Sequence, residues 1–210
     1  MTSLNNLEKI KRELKKVATE TNTSVRQMKI ATLISDALKS VGISPVLVGG
    51  AAVAFYTNNH YTTLDIDMVA PTTDSLARVM TELGFKKIGK DFVHSIFDIY
   101  VEFPSSSLGY TEQTETIKYD NRSLQIISVS DLIVDRLCAF KFWKSEIDGV
   151  NAMILLELGK DDRSRTETRV REEDVLDAFD FVLKVYQTVI RKKLTFNEAS
   201  HLLKAYFSKK

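Results

Sequence analysis

Two carboxylates, Asp65 and Asp67, stand two positions apart in the run Leu64-Asp65-Ile66-Asp67-Met68. In an extended chain alternate side chains share a face, so the pair points one way while Leu64, Ile66 and Met68 point into a core. Two such carboxylates repel each other unless a cation sits between them, and hard oxygen donors of this kind suit Mg²⁺ or Mn²⁺. An ion held there would bridge triphosphate oxygens and activate an attacking hydroxyl. Upstream, the apolar run Pro45–Val48 ends in Gly49-Gly50 and a helical stretch follows. The glycine pair permits a sharp turn and close approach of a ligand, and the N–H groups opening the helix make an anion site suited to a phosphate chain. Two-metal chemistry wants a third carboxylate. The run Ile96–Phe103 offers Asp98 and Glu102 on one face with Tyr100 between them. Either would serve as third ligand or general base. Glu102 is favoured, because Pro104 ends the strand just beyond it and ligands gather at strand ends.

These residues need a scaffold, and the pattern predicts an α/β (α+β) one. Residues 1–43 read as two helices. The first carries Leu4, Leu7, Ile10, Leu14 and Val17 at helical spacing, with Ser3 as N-cap. The second runs from about Ser24 to Ser40, with Met28, Leu33, Ala37 and Leu38 inward and Gly42 closing it. The core, residues 44–127, alternates: strand Pro45–Val48, helix Ala51–Tyr56, strand Leu64–Ala70, helix Asp74–Leu83 closed by Gly84, strands Ile96–Phe103 and Leu124–Ile127. Residues 128–210 read as helical. Ser128 and Asp131 have capping-box spacing, as do Thr195 and Glu198. Asp148 is expected to cap a short helix to about Leu158. The mixed-charge stretch Lys160–Glu173 reads as a solvated loop or exposed helix start. Val175, Phe179, Val182, Val185, Tyr186 and Val189 form an amphipathic stripe.

Several residues have quieter readings. His60 is expected in a solvated loop, and His94 in a structural role before the acidic strand. Arg136 either contacts Asp131 locally or faces a nucleotide. Trp143, between Lys141 and Lys144, reads as a core residue with solvated lysines rather than a stacking platform for RNA. Lys11, Arg12, Lys15 and Lys16 form the solvated face of the first helix.

The bulk numbers set bounds. The chain has 210 residues, 44% hydrophobic and 27% charged, and a formal net charge of +1. That is enough to bury a core, and gives no global push toward nucleic acid or an anionic membrane. A single cysteine, Cys138, cannot pair within the chain. It reads as a buried packing thiol, and a reducing cytoplasm is the simplest compartment. No run has the length and apolarity of a membrane span, and the first residues lack a signal-peptide core.

The order Gly49-Gly50, helix, then hydrophobic-Asp-hydrophobic-Asp-hydrophobic resembles the signature of the polymerase-β-type nucleotidyltransferase superfamily. Within it the chain is similar to small prokaryotic proteins allied to AbiEii-type toxins and minimal nucleotidyltransferases. The interval from Ala51 to Leu64, fourteen residues, is slightly long for the superfamily. Asp131, Leu132, Arg136 and Leu137 also match an Asp-Leu-x-x-x-Arg-Leu pattern that follows the core in such proteins. The resemblance spans about residues 44–158. It implies a nucleotidyltransferase-like mixed sheet, with Gly49 and Gly50 at the nucleotide phosphates and Asp65 and Asp67 as metal ligands. Asp98 or Glu102 takes the third acidic position, and Mg²⁺ or Mn²⁺ is the cofactor. It further implies an NTP as donor, a protein or RNA hydroxyl as acceptor, and a toxin–antitoxin or phage-defence setting with a cognate toxin or antitoxin as partner. Many relatives carry Ser as the second turn residue, where this chain has Gly50. The alternative is an inactive module of the same fold that binds a partner protein or RNA.

Overall fold

Val46–Val48 (β1) is a short apolar strand that follows Pro45 and is stopped by Gly49, where the helix Gly49–Tyr56 (α3) begins at once. Around this pair the computed structural model describes residues 2–58, 63–119 and 121–209, with side chains from residue 6 to 208 of these. The loop reading of His60 and the inward or capping roles of Ser3 and Leu4 lie outside the described residues.

The chain divides into two compact units, residues 1–127 and 128–210. The first opens with helices Thr2–Val17 (α1) and Thr23–Lys39 (α2). After β1 and α3 come strand Asp65–Val69 (β2) and helix Asp74–Glu82 (α4). Strands Lys86–Ile88 (β3), Asp91–His94 (β4), Ile99–Glu102 (β5), Thr114–Tyr119 (β6) and Arg122–Ile127 (β7) complete it. Among the described residues the strands form one mixed sheet in the order β3-β4-β5-β2-β1-β7-β6. β2 runs parallel to β5 and β1 parallel to β7, while β1–β2, β3–β4, β4–β5 and β6–β7 are antiparallel. Leu47, Ile66, Met68, Val101, Leu124 and Ile126 are sealed from solvent, and each such burial contributes roughly 1.5–3 kcal/mol. The N-terminal helices belong to this unit: α2 packs on α3, α4 and β7, and Arg122 of β7 holds Glu13 at 2.8 Å and Asp36 at 3.0 Å. Asn22 caps α2 through its side chain, and Met28, Leu33, Ala37 and Leu38 are buried.

Three sequence expectations change here. Leu64 is 74% exposed, because β2 begins only at Asp65 and the residue before it projects from the sheet end. The strand expected over Ile96–Phe103 is confined to Ile99–Glu102, since Asp98 adopts a left-handed φ of +52° that extended pairing cannot accommodate. Ahead of it stands a hairpin, β3–β4, in a stretch the pattern left blank.

The second unit consists of helices Val129–Trp143 (α5), Glu146–Glu157 (α6), Arg163–Glu172 (α7), Leu176–Lys192 (α8) and Phe196–Lys204 (α9), then a 3-10 turn at Phe207–Lys209. Ser128 accepts from the Asp131 amide and caps α5, and Thr195 with Glu198 makes a full capping box on α9. Asp131 contacts Arg165 at 2.7 Å and Arg169 at 3.1 Å rather than Arg136. Arg136 instead pairs with Asp135 and, at 2.7 Å, with Asp148. Asp148 therefore serves as a counter-ion, and Ser145 is the N-cap of α6. The stretch 160–173 is not merely solvated, because Thr166, Arg169 and Val170 of α7 are buried. Trp143 is 84% exposed, as α5 ends there and Lys144 turns left-handed. Cys138 is half-buried.

Candidate active site

The register of three neighbouring strands gathers the acidic residues. Asp65 stands opposite Tyr100 and Asp67 opposite Glu102 across the parallel β2–β5 pair. Glu102 in turn stands opposite Asp91 across β4–β5. Residues in register share a face, so Asp65, Asp67, Tyr100, Glu102 and Asp91 all belong to one side. Ile66, Met68, Val101, Phe92 and His94 belong to the other, buried side. Asp65 is exposed and Asp67 half-buried.

Gly49 is fitted to this face. Its φ is +63°, and a Cβ built on it would lie 2.2 Å from Asp67 Oδ2 and 2.9 Å from Asp67 Cγ. The Asp67 carboxylate thus rests against the turn that opens α3, which only glycine allows. Val48 precedes the helix in extended conformation and provides no side-chain cap. The first N–H groups of α3 have no partner within the helix ladder. Gly50 is buried in this first turn.

Asp98 lies outside β5 in an exposed turn. It accepts a hydrogen bond from Tyr100, and this bond, with the charges of Asp98 and Asp65, raises the Tyr100 phenol above its ordinary pKa. Glu102, by contrast, is within β5 beside Asp67. Its carboxylate meets Lys90 Nζ at 2.7 Å. The Lys90 ammonium is held above its ordinary value first by that bond, with the charges of Glu102, Asp91 and Asp67 adding to it. Among the described residues no three His, Cys, Asp or Glu side chains converge as a metal site.

Two residues of α2 brace the backbone at the strand ends of this face. Gln27, only 4% exposed, donates to the Thr63 carbonyl at 2.7 Å and the Asp65 carbonyl at 3.4 Å. Arg26 donates to the Phe97 carbonyl and, at 3.4 Å, to that of Asp98. The start of α2 therefore fixes the leading ends of β2 and β5 together. Neither brace nor Lys90 is announced by hydropathy. The one signal for Lys90 was the turn Gly89-Lys90 between Lys86-Lys87-Ile88 and Asp91-Phe92-Val93, a two-residue hairpin loop with glycine first.

His94 is buried, stacked on Phe97 with ring centroids 4.3 Å apart and edge-on to Phe85. Burial pushes its imidazole below the ordinary value, consistent with a neutral packing group. A cavity of about 440 Å³ between α1, α2 and the β6–β7 hairpin shares no lining residue with the acidic face. Its walls carry the paired charges Lys29–Glu20 and Arg122–Glu13.

No family model matches the chain, and no curated protein matches it. Among solved structures it is similar to an antigenic nucleotidyltransferase-like protein from Paracoccidioides brasiliensis. The identity is 14% and the TM-score 0.47, over 73% of this chain and 92% of that one. A likeness of that size bears on no functional residue. Among the described residues no helix is long and apolar enough to cross a membrane.

Proposed function

We propose that the protein is a nucleotidyltransferase whose active site is the acidic face of β2 and β5. The observation that carries this reading is the register pairing of Asp67 with Glu102 on parallel strands, with the Asp67 carboxylate against the Gly49 turn. Carboxylate oxygens on two adjacent strands are the donor chemistry that a hard divalent ion requires, so Mg²⁺ or Mn²⁺ fits the set. Asp65 and Asp67 would hold it, with Glu102 as the third ligand in preference to Asp98. The chemistry such an ion supplies when bound is neutralisation of charge on the phosphoryl oxygens and the attacking hydroxyl. The chain's own residues do the rest. Gly49 makes room for the Asp67 carboxylate, Gly50 keeps the turn open to the phosphate chain, and the opening N–H groups of α3 donate to it in place of the hydroxyl that Gly50 lacks. An acceptor hydroxyl oxygen forms a bond to the α-phosphorus, the bond to the β-phosphate bridge breaks, pyrophosphate leaves, and the hydroxyl proton passes to solvent. The acceptor is a protein or RNA hydroxyl, and the toxin–antitoxin or phage-defence setting follows from the resemblance to AbiEii-type proteins.

A second reading, an inactive module that binds a partner protein or RNA, is favoured by the contact of Glu102 with Lys90 and the lack of a three-carboxylate cluster among the described residues. Incubation with each labelled NTP, Mg²⁺ and cell extract separates the two. The transferase reading expects label on protein or RNA with the wild type and none with D65N/D67N, at an unchanged melting temperature. Transfer that survives the double substitution moves the site elsewhere. Unfolding of the double variant makes the carboxylates structural.

A further inference from the structure

Four carboxylates, Asp65, Asp67, Glu102 and Asp91, share one face of three adjacent strands. A cation set against this face is Lys90, at the tip of the β3–β4 hairpin. Its ammonium sits 2.7 Å from Glu102 Oε2. The two partners differ in freedom: the Lys90 side chain is 73% exposed and that of Glu102 only 20%. The lysine is thus on a long, solvated stem, free to leave, while Glu102 is part-buried, with its backbone in register with Asp67. Gly89, with a φ of +63° and nothing within 4 Å of a Cβ built on it, occupies the first loop position. The Lys90 stem therefore starts one residue before Asp91, which is itself in register with Glu102.

We infer that Lys90 is a displaceable internal counter-ion that holds Glu102 out of the metal site until a divalent cation competes for it. This rests on the metal-site reading of Asp65, Asp67 and Glu102. It accounts for a donor set that is correct in chemistry and register yet not gathered into a cluster. An ammonium and a divalent ion cannot both neutralise the same Glu102 carboxylate oxygen at close range. Metal entry therefore breaks the Lys90–Glu102 pair and frees the lysine to solvent.

The test is Mn²⁺ binding to the full chain without nucleotide, followed by electron paramagnetic resonance, for wild type, K90Q, K90R, E102Q, K90Q/E102Q and D65N/D67N. K90Q, which keeps length and loses charge, is expected to bind Mn²⁺ roughly two- to fivefold tighter than wild type, in the modest range of an exposed ion pair. K90R should stay close to wild type. E102Q should bind more weakly, and K90Q/E102Q should match E102Q, because the effect of Lys90 passes through Glu102. A generally loosened hairpin would weaken binding in every variant, so the opposite signs of K90Q and E102Q exclude a merely structural role. Unchanged or weaker binding in K90Q, with binding still lost in D65N/D67N, overturns the counter-ion role and leaves the metal site standing. A K90Q gain that persists in the E102Q background also overturns it, as a long-range charge effect. Absence of binding in wild type and K90Q alike, or binding undiminished in D65N/D67N, overturns the metal-site reading and this inference with it.

Discussion

At the scale of single residues, the closest fit in the first unit is between Gly49 and Asp67. Two separate demands meet there, a φ of +63° and a carboxylate oxygen 2.2 Å from where a Cβ would stand. Gly42 imposes only the first, with a φ of +77° and open space around it. Comparing G49A with G42A therefore isolates the contact. Both should lose about 1–2 kcal/mol for placing alanine in the left-handed region. G49A should lose about 1–3 kcal/mol more, because either Asp67 or the α3 turn must shift. Denaturant unfolding of the two variants checks this. Equal losses would mean that Asp67 swings away at no cost and is not held by the turn. The type and spacing of Gly49, Asp65 and Asp67 were legible because glycine freedom and strand alternation are local properties. Exposure of single apolar residues was not. Leu64 and Trp143 sit at element ends, and whether an end residue turns inward is decided by what lies over it, which the local pattern does not encode.

At the scale of elements, the long helices and strands β1, β2, β5 and β7 were legible, whereas the edge strands β3 and β6 and the interior strand β4 were not. β3 reads Lys-Lys-Ile and is exposed throughout, and β6 reads Thr-Glu-Thr-Ile-Lys-Tyr with little burial. Polar residues and lysines on sheet margins suppress edge-to-edge association, and in doing so they erase the alternation that announces a strand. Charge pairing between helices was hidden for a related reason. The partners of Asp131, Arg165 and Arg169 in α7, lie 34 and 38 positions away, and those of Asp177, Lys141 in α5 and Tyr206 after α9, lie 36 and 29 positions away. Asp177 gives a pH prediction. Partial burial opposes its ionised form, but hydrogen bonds from Tyr206 at 2.6 Å and Lys141 at 2.9 Å outweigh this and bring its pKa down to about 2. A carboxylate depressed on folding stabilises the folded state fully above its unfolded value near 3.8, and that contribution fades as pH falls toward 2. Acid unfolding of wild type should therefore steepen between about pH 4 and 2, and D177N should lack that component. The side chain is 49% exposed, so salt should shrink the difference. Parallel slopes for the two proteins at low salt would show that the carboxylate gains nothing from Lys141 and Tyr206.

At the scale of the whole molecule, the chain's boundary falls after Ile127, where the last strand of the sheet ends and Ser128 caps α5. Every residue assigned to the acidic face, Gly49, Asp65, Asp67, Lys90, Asp91 and Glu102, lies before that boundary. So do the braces Arg26 and Gln27 of α2, which hold the Thr63, Asp65, Phe97 and Asp98 carbonyls. The first unit has a sealed apolar layer of its own in Leu47, Ile66, Met68, Val101 and Ile126. A unit of that length with its own core is within the size range of independent domains. A fragment of residues 1–127 is therefore expected to unfold cooperatively and to bind Mn²⁺ with the affinity of the full chain. A fragment starting at residue 44, which discards α1 and α2, should bind at least several-fold more weakly, since nothing then fixes the leading ends of β2 and β5. Thermal melting followed by metal titration of both fragments and the full chain decides it. Loss of cooperative melting in residues 1–127 would show that the sheet needs the helical unit to fold. A folded 1–127 fragment with weakened binding would bring residues beyond Ile127 into the site. Full-strength binding by the fragment from residue 44 would remove α2 from the positioning of the carboxylates.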